Sequence, residues 1–129
     1  MERFLGRRAD LIYSLLRFFS GTMFACHGAQ KLFGVLGGHP MLGDPEMLAA
    51  GVIEFFGGVL IAIGLQASIA GFVASGQMAV AYFQAHAPKG FWPIENHGEL
   101  AIVYCFLFLY VGARGSGAFS VDGLLKKRA

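Results

Sequence analysis

Charge is what this sequence has least of. Asp, Glu, Lys and Arg make up 14% of its 129 residues against 56% hydrophobic ones, where a soluble globular surface carries about a quarter charged. The deficit excludes an ordinary water-exposed domain and makes a bilayer the better solvent. There is no strong excess of one sign either: the formal charge is +2, and Lys and Arg gather at the chain ends rather than in a patch, so nucleic acid is not an expected partner. Cysteine is scarce. Cys26 and Cys105 lie in apolar runs without CxxC spacing, which excludes a disulfide framework and a thiol-redox motif. No repeat of solenoid period is present, and 129 residues leave no room for a second core. A single all-α domain over 1–129 is expected.

Long apolar runs are what the chain has instead. A span of the hydrocarbon core needs about 20 residues, and helices are expected at about 11–33, 48–65, 69–86 and 96–113. Gly34 to Met47 holds Gly37, Gly38, Pro40, Gly43 and Pro45 and reads as a loop. Gln66 to Ser68 is a tight hairpin link. Ala87 to Glu95, with Pro88, Gly90 and Pro93, is a second loop whose Trp92 suits a membrane interface. Residues 114–129 read as a basic tail. Arg7-Arg8 before an apolar segment resembles a signal peptide, and Met23-Phe24-Ala25-Cys26 a lipoprotein cleavage site; the segment is expected to be retained.

Cation placement sets the orientation. Arg3, Arg7 and Arg8 precede the first run and Arg114, Lys126, Lys127 and Arg128 follow the last, whereas the two long connections offer only Lys89. Both termini are therefore expected in the cytoplasm, which requires an even number of spans. The expected fold is an integral membrane bundle of four transmembrane helices.

That topology brings polar residues of all four helices to the outer leaflet. His27, Gln30 and Lys31 share one face by their spacing of three and four and lie within about 10 Å of the outer end of helix one. Glu54 lies at a similar depth in helix two, among Gly51, Gly57 and Gly58, small residues that allow close helix contact. Tyr82 and His86 close helix three on that side; Asn96, His97 and Glu99 open helix four. Arg17 is the one charge of the inner half and is expected to snorkel to the cytoplasmic surface. Ionisable groups at such depths are functional candidates by default, although a Lys31–Glu54 pair also suits a purely structural role.

The donor types favour a small carbonyl compound over a metal. No HxxxH or ExxH pair shares a helix face, and the Lys31 ammonium would repel a cation, so no metal site is expected. A Lys, Gln, His or Tyr donor can hold a quinone oxygen, and a Glu–His pair can carry its protons. The candidate ligand residues are His27, Gln30, Lys31, Glu54, Tyr82, His86, Asn96 and Glu99, with Glu54, His27 and Lys31 as proton carriers and Phe33, Phe55, Phe56 and Phe83 as an aromatic wall. The chain holds no evident electron carrier, so any catalysis would be as a quinone-linked oxidoreductase component working with a partner.

His27-Gly28-x-Gln30-Lys31-Leu32-Phe33-Gly34, Ile53-Glu54-x-x-Gly57-Gly58, Met78-x-x-Ala81-x-Phe83-x-x-His86, Asn96-His97-Gly98-Glu99-Leu100-Ala101 and Gly117-x-x-Ser120-x-Asp122 together resemble the DoxX family of small bacterial membrane proteins. The resemblance runs from about Arg17 to Asp122. It implies a multi-pass protein of the bacterial inner membrane, among relatives linked to quinone-coupled oxidation, including thiosulfate:quinone oxidoreductase, and to defence against thiol stress, catechol or hydroquinone compounds. Expected partners are membrane lipids and a larger membrane complex or redox protein; quinone is the expected ligand, with no covalently bound cofactor. The alternative is a non-catalytic accessory subunit of a respiratory or photosynthetic complex.

Overall fold

The computed structural model describes all residues from Met1 to Ala129 and contains helices and no strand. A short helix α1 (Glu2–Gly6) leads into α2 (Ala9–Phe33), whose 25 residues make it about 37 Å long. Gly34, left-handed at φ 67°, ends it. Helix α3 (Pro45–Ile63) follows. It starts three residues before the expected Leu48 because Asp44 caps it, accepting from the Glu46 and Met47 amides, with Pro45 in the first turn. Gly64, at φ 72°, terminates it, with the Gly64 and Leu65 amides both donating to the Leu60 carbonyl.

Helix α4 (Ala67–Ala81) continues through a π-helical turn at Tyr82–His86 and a 3₁₀ turn at Ala87–Lys89. A one-turn helix α5 (Pro93–Asn96) then stops at His97, which is left-handed at φ 61°. The last long helix α6 (Glu99–Arg114) therefore begins three residues later than the expected Asn96. Only α3, with 19 residues and a mean hydropathy of 1.9, is long and apolar enough by itself to cross a membrane.

Two helix pairs build the bundle, α2 with α3 and α4 with α6. Between them lies a core of Tyr13, Phe24, Ile61, Ala74, Met78, Tyr104, Phe108 and Val111. Glycine decides how closely α2 and α3 approach. A Cβ on Gly21 would lie 2.6 Å from the Ala62 nitrogen, on Gly28 2.2 Å from the Phe55 nitrogen, and on Gly58 2.5 Å from the Ala25 nitrogen. The two backbones are in contact along their length, so their side chains meet at fixed depths.

The end of the bundle that carries both chain termini departs from expectation. Arg17 does not snorkel: it is 2% exposed, and its guanidinium donates to the main-chain carbonyls of Ile61 (2.8 Å), Phe119 (2.8 Å) and Ser116. Three acceptors aimed at a planar five-donor fork replace the water it would otherwise seek. Around it Tyr13 donates to the Gly115 carbonyl (2.6 Å), and Asp122 accepts from the Gln66 amide (2.8 Å) and the Ser116 hydroxyl (2.6 Å). This end thus has a polar cluster of its own. Residues 114–129 are not a plain tail either: Gly115–Ser120 folds over the helix ends, and helix α7 (Val121–Arg128) starts from Ser120, whose hydroxyl accepts from the Gly123 amide.

Candidate functional site

At the opposite end Glu54 is the organising group. It sits in a π-helical turn, Ile53–Gly57, inside α3 and is 2% exposed. Such turns are frequent at functional positions. The Gly28 crossing places α2 directly against this turn, and one turn further along α2 Lys31 reaches the carboxylate. Its ammonium donates to both oxygens, at 2.5 and 2.6 Å. Gln77 of α4 donates its amide nitrogen to Glu54 Oε1 at 2.8 Å. A carboxylate only accepts, so the amide group must turn its nitrogen toward it; its own oxygen is buried without a partner. Three helices therefore converge on one buried anion.

The group lies between two cavities. One, of about 310 Å³, is lined by Phe24, Met78, Ala101 and Tyr104 below and by His27, Lys31, Glu54, His86 and His97 above. The other, of about 500 Å³, runs between α3 and α4 and is lined by Ile53, Glu54, Val73, Gly76, Gln77 and Val80, with Glu46 and Gln84 toward its mouth. Lys31 and Glu54 border both. A ligand in the first would meet an apolar floor, an ion pair and imidazoles, the lining expected of a small-molecule site.

His86 Nδ1 lies 3.1 Å from the Asn96 carbonyl. That main-chain oxygen only accepts, so Nδ1 carries a proton and points away from the cavity, leaving Nε2 as the ring nitrogen free to meet a ligand.

Of the candidate ligand residues, His27, Lys31, Glu54 and His86 are brought together around the first cavity, and His97 joins them. Gln30 is not: its amide donates to the Leu36 carbonyl at 2.9 Å and holds the Gly34–Gly38 loop. Asn96 is fully buried and engaged, donating to Gly90 O (2.9 Å) and Tyr82 Oη (3.3 Å) and accepting from the Gly98 amide (2.8 Å). Tyr82 serves this loop network, its ring also packing on Gly98. Glu99 is exposed in the first turn of α6 and outside both cavities. The aromatic wall is misplaced as well. Phe33, Phe55 and Phe56 stack edge to face on the flank of α2 and α3, and Phe83 is 70% exposed; Phe24 and Tyr104 line the cavity instead. Gln77 is the residue that sequence reasoning overlooked. An uncharged amide inside the apolar run 69–86 falls under the same rule for polar groups at depth that picked out Glu54.

A family model, DoxX, matches residues 12–87. The chain is also 43% identical over 122 residues, 89% of its own length and 91% of the other's, to an uncharacterized protein of Haemophilus influenzae. No solved structure matches it.

Proposed function

This chain belongs to the DoxX family, which is membrane-associated, and from that premise we propose a protein of the bacterial inner membrane that crosses it four times, with both ends cytoplasmic, and binds a quinone or hydroquinone beside Glu54. Exposed Phe19, Ile69, Phe72, Val103 and Phe106 on α2, α4 and α6 support immersion in acyl chains, since a water-soluble monomer rarely exposes so much apolar side chain. The single observation that carries the site is the buried Glu54 carboxylate, held by Lys31 and Gln77 at the boundary of two cavities. A quinone carbonyl in the first cavity would accept from an imidazole or the ammonium. A hydroquinone hydroxyl would donate to the carboxylate or to His86 Nε2. Oxidising a hydroquinone releases two protons and two electrons; Glu54 and the histidines suit the protons, and a redox partner would take the electrons.

Titration of the purified protein with menadione and decylubiquinone, read as melting temperature, tests the site. Both should raise it in wild type, and Glu54→Gln should abolish most of the rise. No shift at saturating quinone would overturn the reading.

A second reading has its own support. Lys31 already engages both Glu54 oxygens and Gln77 adds a third bond, which is what a purely structural lock between helices requires. The chain would then be an accessory subunit of a larger membrane complex, isolating with it while its deletion leaves turnover intact.

A further inference from the structure

Most cations at the end opposite Glu54 have no acidic partner. Ion pairs form between Lys31 and Glu54 and between Arg114 and Asp10; Arg3, Arg7, Arg8, Lys126, Lys127 and Arg128 take part in neither and are exposed. Among the acids there, Asp10 is paired and Asp122 is bonded to the Gln66 amide and the Ser116 hydroxyl. Glu2 alone opposes the six named cations.

Helix α7 carries apolar side chains beside these charges. Val121, Leu124 and Leu125 recur at spacings of three and four on one face, while Lys126 and Lys127 fall on the other and Arg128 ends the apolar face at the helix C-terminus, where its long side chain can reach the headgroup layer. Leu124 and Leu125 are 59% and 53% exposed, so that face is not covered by the bundle. The helix is nevertheless fixed in place. Ser120 caps it, the Asp122 amide donates to the Gly64 carbonyl, and Asp122 Oδ2 ties back to Gln66 and Ser116. An amphipathic helix with basic residues on its polar side and an uncovered apolar side is the pattern of one lying in a bilayer's headgroup layer.

We propose that α7, together with the Arg3–Arg8 segment, forms a collar that binds anionic phospholipid headgroups at the end of the bundle carrying both termini. Leu124 and Leu125 enter the acyl boundary, and Lys126, Lys127 and Arg128 engage the phosphates, attracted by the negative leaflet surface. The inference rests on the chain's residing in a membrane but not on the quinone site, which can fail without affecting it.

The test is the melting temperature of the detergent-solubilised full chain with added phosphatidylglycerol or phosphatidylcholine at equal mole ratio. Phosphatidylglycerol should stabilise by several degrees more, and the difference should shrink as salt rises from 50 to 500 mM, because exposed charges are screened. A K126Q/K127Q/R128Q variant, which leaves Ser120 and Asp122 intact, should keep the lipid-free melting temperature and show a clearly smaller difference, with R3Q/R7Q/R8Q added removing the rest, while K126R/K127R should retain it. Equal stabilisation by the two lipids in wild type, or an undiminished difference in the glutamine variant, overturns the proposal.

Discussion

Glu54 and Arg17 are the two buried charges at the two ends of the bundle, and they are neutralised by different means. Glu54 faces a counter-ion and an amide; Arg17 faces only carbonyl dipoles. Removing a partner therefore has different consequences. Lys31→Met leaves a buried carboxylate with Gln77 as its remaining donor and should cost about 3 kcal/mol, read by thermal unfolding in detergent. Adding Glu54→Leu to it should recover most of the loss, because an apolar pair of similar volume needs no desolvation. Glu54→Leu alone should cost less than Lys31→Met, since the Lys31 side chain is 25% exposed and can turn to water. The pairing of Lys31 with Glu54 was legible in the sequence, because helical depth and polarity locate both. The roles of Gln30 and Asn96 were not: each bonds to a loop carbonyl, Leu36 or Gly90, and the path of a loop is not written in the periodicity of the helices it joins.

At the scale of elements, the α2–α3 contact places the site. Gly28→Ala would drive a Cβ to within 2.2 Å of the Phe55 nitrogen, so α2 must move away from the π-turn that carries Glu54. A loss of about 3 kcal/mol is expected, at the upper end for overpacking. Gly76, within α4, has open space around its Cβ position, and Gly76→Ala should instead stabilise by up to about 1 kcal/mol through helix propensity. Comparing the two melting temperatures separates close approach from conformational freedom. The clasp around Arg17 has its own test. Arg17→Met strands the carbonyls of Ile61, Ser116 and Phe119, and the segment 115–120 should become sensitive to limited proteinase K while the long helices resist. Four apolar runs announced the four long helical segments. Their interruptions were hidden: Gly57-Gly58, Pro88 and Gly98 lie beside the π-turns at Ile53–Gly57 and Tyr82–His86 and the break at His97, but whether a glycine or proline widens, ends or merely tolerates a helix is decided by the packing and loop bonds around it.

Across the whole molecule the two ends differ in sign. Asp44, Glu46, Glu95 and Glu99 are exposed at the Glu54 end with Lys89 as the only exposed cation, whereas the other end carries the basic collar. Arg114 of α6 lies at that basic end, where its guanidinium donates to the Tyr110 hydroxyl (3.1 Å) and to Asp10 Oδ1 (2.9 Å) and so ties α6 to the start of α2. In a background with Cys26 and Cys105 replaced by alanine, His39→Cys should react with a membrane-impermeant maleimide from outside spheroplasts, and Lys127→Cys only after lysis. Labelling of both from one side would contradict the proposed topology. The clasp around Arg17 also imposes an order on synthesis. The first long helix leaves the ribosome with a guanidinium whose Ser116 and Phe119 acceptors lie 99 and 102 residues downstream. Until that loop is made, the cation must be hydrated or shielded by the insertion machinery. Translation halted near Arg114 therefore yields a chain with every long helix present and its first one unsealed, and it is Ser116 and Phe119 that close the structure.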